Sequence, residues 1–287
     1  MKLADYPPQE ALSALGASYQ ERVLARSAGI EGREFAYGDD PYQRLIVYPA
    51  DASTGEVLVF FHGGGWTSGY KEWMAFMAPA LQARGITLVT PGYRLAPGHL
   101  FPVGVDDAAD ALAWVHAHAA EHGGNARRIF VGGHSSGGHY AALLAATADW
   151  RRARGLPADV VRGCLPVSGV YRFDAESGLT MRPRFLGPAG EGDKATAASP
   201  LLRIDSGACA PFLLSWGSRD FPHLIVQGRQ MLEALQRAGV AAEAFVFEGA
   251  DHFEASLACG QVESGWPDRA SAWMRNIPTP TPDEEAP

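Results

Sequence analysis

The chain has 287 residues, 47% of them hydrophobic, and a formal net charge of −8. That is apolar material for one large core, within the size range of a single α/β domain, and the acidic balance excludes the basic surface that a nucleic-acid partner requires. Cys164, Cys209 and Cys259 are odd in number, far apart and without metal-ligand spacing, which fits a reducing compartment and points to no metal site.

Met1 to Glu10 shows no apolar stretch behind a basic start. A cytoplasmic location with no secretory signal and no membrane partner is therefore expected. A helix-like segment with Leu12, Leu15, Tyr19, Val23 and Leu24 follows, and two predicted strands run over Arg33 to Tyr37 and Gln43 to Tyr48. The next strand, Val57 to Phe61, is apolar throughout and breaks into His62-Gly63-Gly64-Gly65-Trp66. Consecutive glycines let backbone N–H groups point into a cavity, so Gly63 and Gly64 are candidate donors to an oxyanion, with His62 bracing their loop. A helical pattern over Glu72 to Arg84, a strand over Ile86 to Thr90 and a helix over Val105 to Glu121 come next. The last shows helical spacing at Val105, Ala108, Ala109, Leu112 and Val115.

The run Arg128 to Val131 leads into Gly133-His134-Ser135-Ser136-Gly137-Gly138, and a helical pattern continues from Gly138 to Ala148. In a chain with 33 glycines a bare Gly-x-Ser-x-Gly match says little. Its place between a strand and a helix says more, because a strand–turn–helix elbow lifts a serine hydroxyl off the sheet edge. Ser135 is the candidate nucleophile, and the amide of Ser136 the third oxyanion donor. After a strand over Val161 to Val167, the stretch from Gly169 to Ala210 is long, rich in Gly, Pro and Arg, and aperiodic. Loops of that length in a compact domain usually serve function or connection. It is expected, with residues 1–32, to form a small cap, and Tyr171, Phe173, Met181, Phe185 and Leu186 are candidate pocket residues beside Trp66 and His139.

A serine hydroxyl needs a base, and the base needs an orienting carboxylate. The strand Phe212 to Trp216 runs through a glycine turn to Asp220, the helix Leu224 to Ala238 follows, and the strand Ala244 to Phe247 ends in a short turn before His252. His252 is therefore expected on a loop beside the elbow as the base, with Asp220 as the acid. Asp251 and Glu248 compete for the acid's role. His134 and His139 flank the elbow and are expected to support it, and His99 and His223 are expected in loops near the pocket mouth. A last helix covers Pro267 to Met274, and the proline- and acid-rich Ile277 to Pro287 is expected to be a disordered tail. Residues 1–276 thus form one domain: a mostly parallel eight-stranded sheet covered by helices, because strands apolar on both faces must be buried on both.

The sequence resembles an α/β-hydrolase over nearly its whole length. His62 to Trp66 together with Tyr93-Arg94-Leu95-Ala96-Pro97 is similar to the hormone-sensitive-lipase-like esterases. The combination of Gly133 to His139, Ser168-Gly169-Val170-Tyr171, Ser199-Pro200 and Asp251-His252-Phe253 is similar to kynurenine formamidases and their bacterial relatives. Those formamidases commonly carry a tyrosine where Gly65 stands and an alanine where Gly138 stands. The resemblance implies Ser135 as nucleophile, Asp220 as acid and His252 as base. It implies a cofactor-independent serine hydrolase acting on a small carboxylic ester or N-formyl arylamide. The runner-up expectations are an esterase without formamidase activity and a non-catalytic ligand-binding protein of the same fold. The oligomeric state stays open, a homodimer included.

Overall fold

A computed structural model describes residues 3–179, 182–188 and 194–279. Met181 and the tail beyond Thr279 lie outside the described residues. The strands are β1 (Arg33–Ala36), β2 (Arg44–Tyr48), β3 (Val57–Phe61), β4 (Thr87–Pro91), β5 (Ile129–His134), β6 (Cys164–Val167), β7 (Phe212–Gly217) and β8 (Ala242–Phe247). The helices are α1 (Ala14–Ser27), α2 (Ala78–Gln82), α3 (Val103–His118), α4 (Ser136–Ala146), α5 (Asp149–Arg152), α6 (Lys194–Ala198), α7 (Pro222–Arg237), α8 (His252–Ala258) and α9 (Trp266–Asn276). All eight strands join one sheet in the order β1-β2-β4-β3-β5-β6-β7-β8. β1 and β2 are antiparallel to their neighbours and the rest of the sheet is parallel.

The strand residues divide between two apolar layers with the period of two that a pleat imposes. Val57, Val59 and Phe61 of β3 face one layer with Leu112 of α3 and Leu144 of α4. Leu58 and Phe60 face the other, with Val23 of α1, Trp73, Trp266 and Met274. Each layer covers one sheet face, which is why β3 can be apolar at every position. Chain order reverses at β3, which has β4 on one side and β5 on the other. In open α/β sheets the crevice beyond the strand ends at such a reversal is where ligands bind. The loops that follow β3 and β5 meet there.

Two expectations about the helices differ from the structure, and a third, the place of His223, differs at the site. The helical pattern over Glu72 to Arg84 is split into a 3₁₀ segment, Lys71–Met77, and the short α2. Pro79 lies in the first turn of α2, where its missing N–H costs nothing, but its ring cannot follow a preceding α-helical turn. His252 is not on a loop: it is the first residue of α8, behind a capping box in which Asp251 accepts from Phe253 and Glu254 amides while the Glu254 carboxylate accepts from the Asp251 amide. The Asp-x-x-Glu spacing is a sequence signature of such a helix start. No helix among the described residues is long and apolar enough to cross a membrane.

Candidate active site

Ser135 occupies the one-residue corner between β5 and α4, with φ 54° and ψ −117°. A serine in this region of backbone space is strained and must be held by its surroundings. Its amide donates to Val167 O at 2.9 Å, and its carbonyl accepts from the His139 amide at 3.0 Å. The flanking glycines are demanded by contact: a Cβ on Gly133 would lie 2.4 Å from the Gly137 carbonyl, and one on Gly137 would lie 2.2 Å from Phe61 O. The corner leaves Ser135 partly exposed at the N-terminus of α4, where the helix dipole favours developing negative charge.

The glycine loop after β3 closes against this corner. A Cβ on Gly63 would lie 3.4 Å from Ser135 Cβ and 2.9 Å from His134 Nδ1. Gly64, Gly65 and Trp66 all have positive φ, and Gly64 O gathers the Thr67 amide, the Ser68 amide and the Ser68 hydroxyl into a tight ring. The amides of Gly63, Gly64 and Ser136 have no hydrogen-bond partner among the described residues. Unpaired donors on a glycine loop and at a helix start beside a partly exposed hydroxyl are what an oxyanion site needs before the oxyanion forms. His62 braces the loop from below: its Nδ1–H donates to Gly63 O at 2.7 Å and its ring stacks on Tyr93 at 4.3 Å. The Tyr93 hydroxyl donates to His62 O at 2.8 Å. From outside, the Gln9 side chain donates to Gly69 O and accepts from the Gly69 amide.

Asp220, in the turn after β7, is buried, and its Oδ1 accepts from His252 Nδ1 at 2.8 Å and from the Phe221 amide at 2.7 Å. Its other oxygen accepts from the Ser168 hydroxyl. Burial alone would push the Asp220 carboxyl up, but His252, Ser168 and the Phe221 amide outweigh it and hold the group below its ordinary value. Of the three carboxylates weighed for this place, Asp251 is committed to capping α8 and Glu248 is exposed. His134 supports the pair, donating from Nε2 to His252 O at 2.9 Å, with the two rings 4.6 Å apart.

Sequence reasoning gave Ser168 no role. It ends the β6 edge next to Ser135, at φ 51°, in the strained region where functional corners cluster. A Ser-Gly pair immediately after an apolar strand, at the same sheet edge as the elbow, was the available signal.

The candidate pocket aromatics are partly brought together. Trp66 stacks on Phe185 at 4.2 Å, and Phe173 meets Trp66, His139 and Phe185 edge-on. His139 is fully buried and both its ring nitrogens are taken: Nδ1 accepts from Trp66 Nε1 at 3.0 Å, and Nε2–H donates to Ala198 O at 2.7 Å. It braces the wall and has no nitrogen left for a substrate. Tyr171 stands apart, buried, its amide held by Gln227 Oε1 at 2.7 Å, and Leu186 is buried in the same apolar layer. His223 sits in the first turn of α7 and not in a loop.

Burial pushes three histidines around the site down, His62 to about 4, His134 to about 3 and His139 to about 3. In the unfolded chain each would titrate near 6.5, so below that pH the unfolded state binds more protons. Their contribution to stability is whole above about 6.5 and is lost as pH falls towards the folded values, at about 1.4 kcal/mol per pH unit for each histidine. Urea unfolding should therefore show a large loss between pH 7 and pH 5. His139→Gln, whose amide can still accept from Trp66 and donate to Ala198, should reduce that loss by about 2 kcal/mol. An unaltered loss would show that His139 is not buried neutral.

The model of the alpha/beta hydrolase fold family matches residues 58–255. Esterase LipC of Mycobacterium tuberculosis is 32% identical over 250 residues, which span 80% of this chain and 59% of that protein. Carboxylesterase NlhH of the same organism is 45% identical over a shorter 126 residues, 43% of this chain and 38% of that one. The chain spans between 51% and 59% of the length of the curated relatives it matches most extensively. Among solved structures, a bacterial heroin esterase superposes with TM-score 0.73 at 27% identity, over 97% of this chain and 96% of that one. An arylesterase superposes with TM-score 0.72 at 21% identity, over 90% and 91%, a likeness of fold. Elbow, sheet order and sequence agree: this chain belongs to the alpha/beta hydrolase fold family.

Proposed function

We propose that the chain is a serine carboxylesterase acting on small esters through an acyl-enzyme. The observation that carries this reading is the buried Asp220–His252 hydrogen bond, at the same sheet edge as the strained Ser135 corner. Ser135 Oγ attacks the ester carbonyl while His252 takes its proton through Nε2. Asp220 holds the imidazole in the tautomer with Nδ1 protonated and stabilises the imidazolium. The amides of Gly63, Gly64 and Ser136 receive the oxyanion. His252 then returns the proton to the leaving alkoxide, and water attacks the acyl-serine by the same route in reverse.

The stretch after β6 and the N-terminal segment act together as the cap in this reading. Glu10 of one pairs with Arg184 of the other, and Arg184 adjoins Phe185 in the aromatic wall. That wall of Trp66, Phe173 and Phe185, backed by His139, is packed ring against ring, so it limits the acyl group to a few carbons. The same closure suits a formyl group, the smallest acyl, and is the observation that favours N-formyl arylamides as further substrates.

Rates for p-nitrophenyl acetate, butyrate and octanoate and for N-formylkynurenine test the assignment. The expected result is kcat/KM falling by an order of magnitude or more from butyrate to octanoate, with deformylation detectable. A preference for octanoate would overturn the short-acyl reading, and absent deformylation would remove the formamide half of it.

A further inference from the structure

Phe221 directly follows the acid and is 41% exposed, unlike the rings of the aromatic wall. Its ring centroid lies 4.8 Å from that of His252, at an interplanar angle of 38°. The His223 ring lies nearly parallel to it, at 6.0 Å and 11°. Three features hold this ring pair in place. Pro222 fixes the first turn of α7, and the Phe221 amide is tied to Asp220. Gln227, one turn further on, donates to Ser177 O at 2.6 Å and accepts from the Tyr171 and Arg172 amides, pinning the cap segment alongside. A Cβ on Gly178 would lie 3.1 Å from His223 Cβ, so that segment passes close against the base of the His223 side chain.

Resting on the esterase reading above, the geometry points to Phe221 as a specificity-determining platform for planar aromatic leaving groups. When the tetrahedral intermediate collapses, the bond between carbonyl carbon and ester oxygen breaks, and the proton that His252 holds goes to that oxygen. The leaving alcohol must therefore lie on the His252 side of the site, while the acyl group lies elsewhere. On that side the protein presents a preset, half-exposed phenyl ring with a second ring packed parallel to it. A flat aromatic alcohol can stack or pack edge-on against such a face with a gain beyond the apolar area it covers. A saturated ring of equal size covers the same area without that gain. The site is thus asymmetric, closed and fully packed at the wall and open and aromatic at the leaving-group side.

The test compares benzyl acetate with cyclohexylmethyl acetate. These share the acyl group and have leaving alcohols of equal carbon count and similar basicity but different planarity. General damage to His252 lowers both rates and cancels from their ratio. The wild-type protein should favour the benzyl ester in kcat/KM by about fivefold. Phe221→Leu, which keeps an apolar side chain against His252, should bring the ratio to within about twofold of unity, and Phe221→Trp should retain the preference. A wild-type ratio near one, or a ratio unmoved by Phe221→Leu, would overturn the platform and leave the esterase reading intact. Turnover of neither ester would overturn both.

Discussion

Replacing Ser135 with alanine is expected to lower kcat about a millionfold, the scale seen when the nucleophile of a serine hydrolase is removed, and to leave the protein folded. The strain of the corner is set by Gly133, Gly137, the Ser135 amide bond to Val167 and the His139 bond to the Ser135 carbonyl, all of which alanine keeps. The side chain is only partly buried and has no hydrogen-bond partner among the described residues, so its loss costs the fold little. Thermal unfolding should stay within about 3 °C of the wild-type protein. Residual turnover above water is expected from the three amides that remain. A variant keeping more than about a hundredth of the activity would remove Ser135 from the mechanism.

Asp220→Asn should lower kcat about ten-thousandfold, as in the analogous protease substitution, because the amide favours the wrong imidazole tautomer. In the wild-type protein one carboxylate oxygen serves both His252 Nδ1 and the Phe221 amide, and the other serves Ser168. An asparagine has one acceptor oxygen for these three donors, and its NH2 must turn towards a donor or towards His252. If it faces His252, Nδ1 becomes the acceptor and the proton moves to Nε2, the nitrogen that must receive the serine's. Asp251→Asn is the control: asparagine caps a helix as well as aspartate does, so kcat should change by less than about threefold. Reversed effects would make Asp251 the acid and break the assignment.

The parts of the architecture set by local chemistry were legible in the sequence. The all-apolar run Val57 to Phe61, rich in β-branched and aromatic residues, reads as a strand buried on both faces, and it lies between two apolar layers. The elbow could be read because its glycines are fixed by contacts within a strand–turn–helix unit. Asp220 was placed by its position after an apolar strand. What stayed hidden depends on side chains meeting across long sequence separations. Ser168 lies 52 residues from the carboxylate it bonds, and no periodicity marks it. Phe221 carries no sequence signal of its own, because only the place of its ring against His252, across 31 residues of chain, singles it out. The α8 start was missed although the capping signal was present, because a seven-residue helix carries too few turns to show amphipathic spacing. Among the candidate pocket residues, His139 was expected at the substrate and has both ring nitrogens taken within the protein, while Tyr171 is buried away from the aromatic wall with its amide held by Gln227.

The most direct measurement is reaction of the intact protein with an organophosphonate, followed by peptide mass analysis. An activated serine should take up one equivalent per chain, on the peptide containing the elbow, with the adduct on Ser135, and Asp220→Asn should slow that labelling steeply. An adduct on Ser136 or Ser168, or labelling of Ser135 at the same rate with and without the Asp220 carboxylate, would contradict the account.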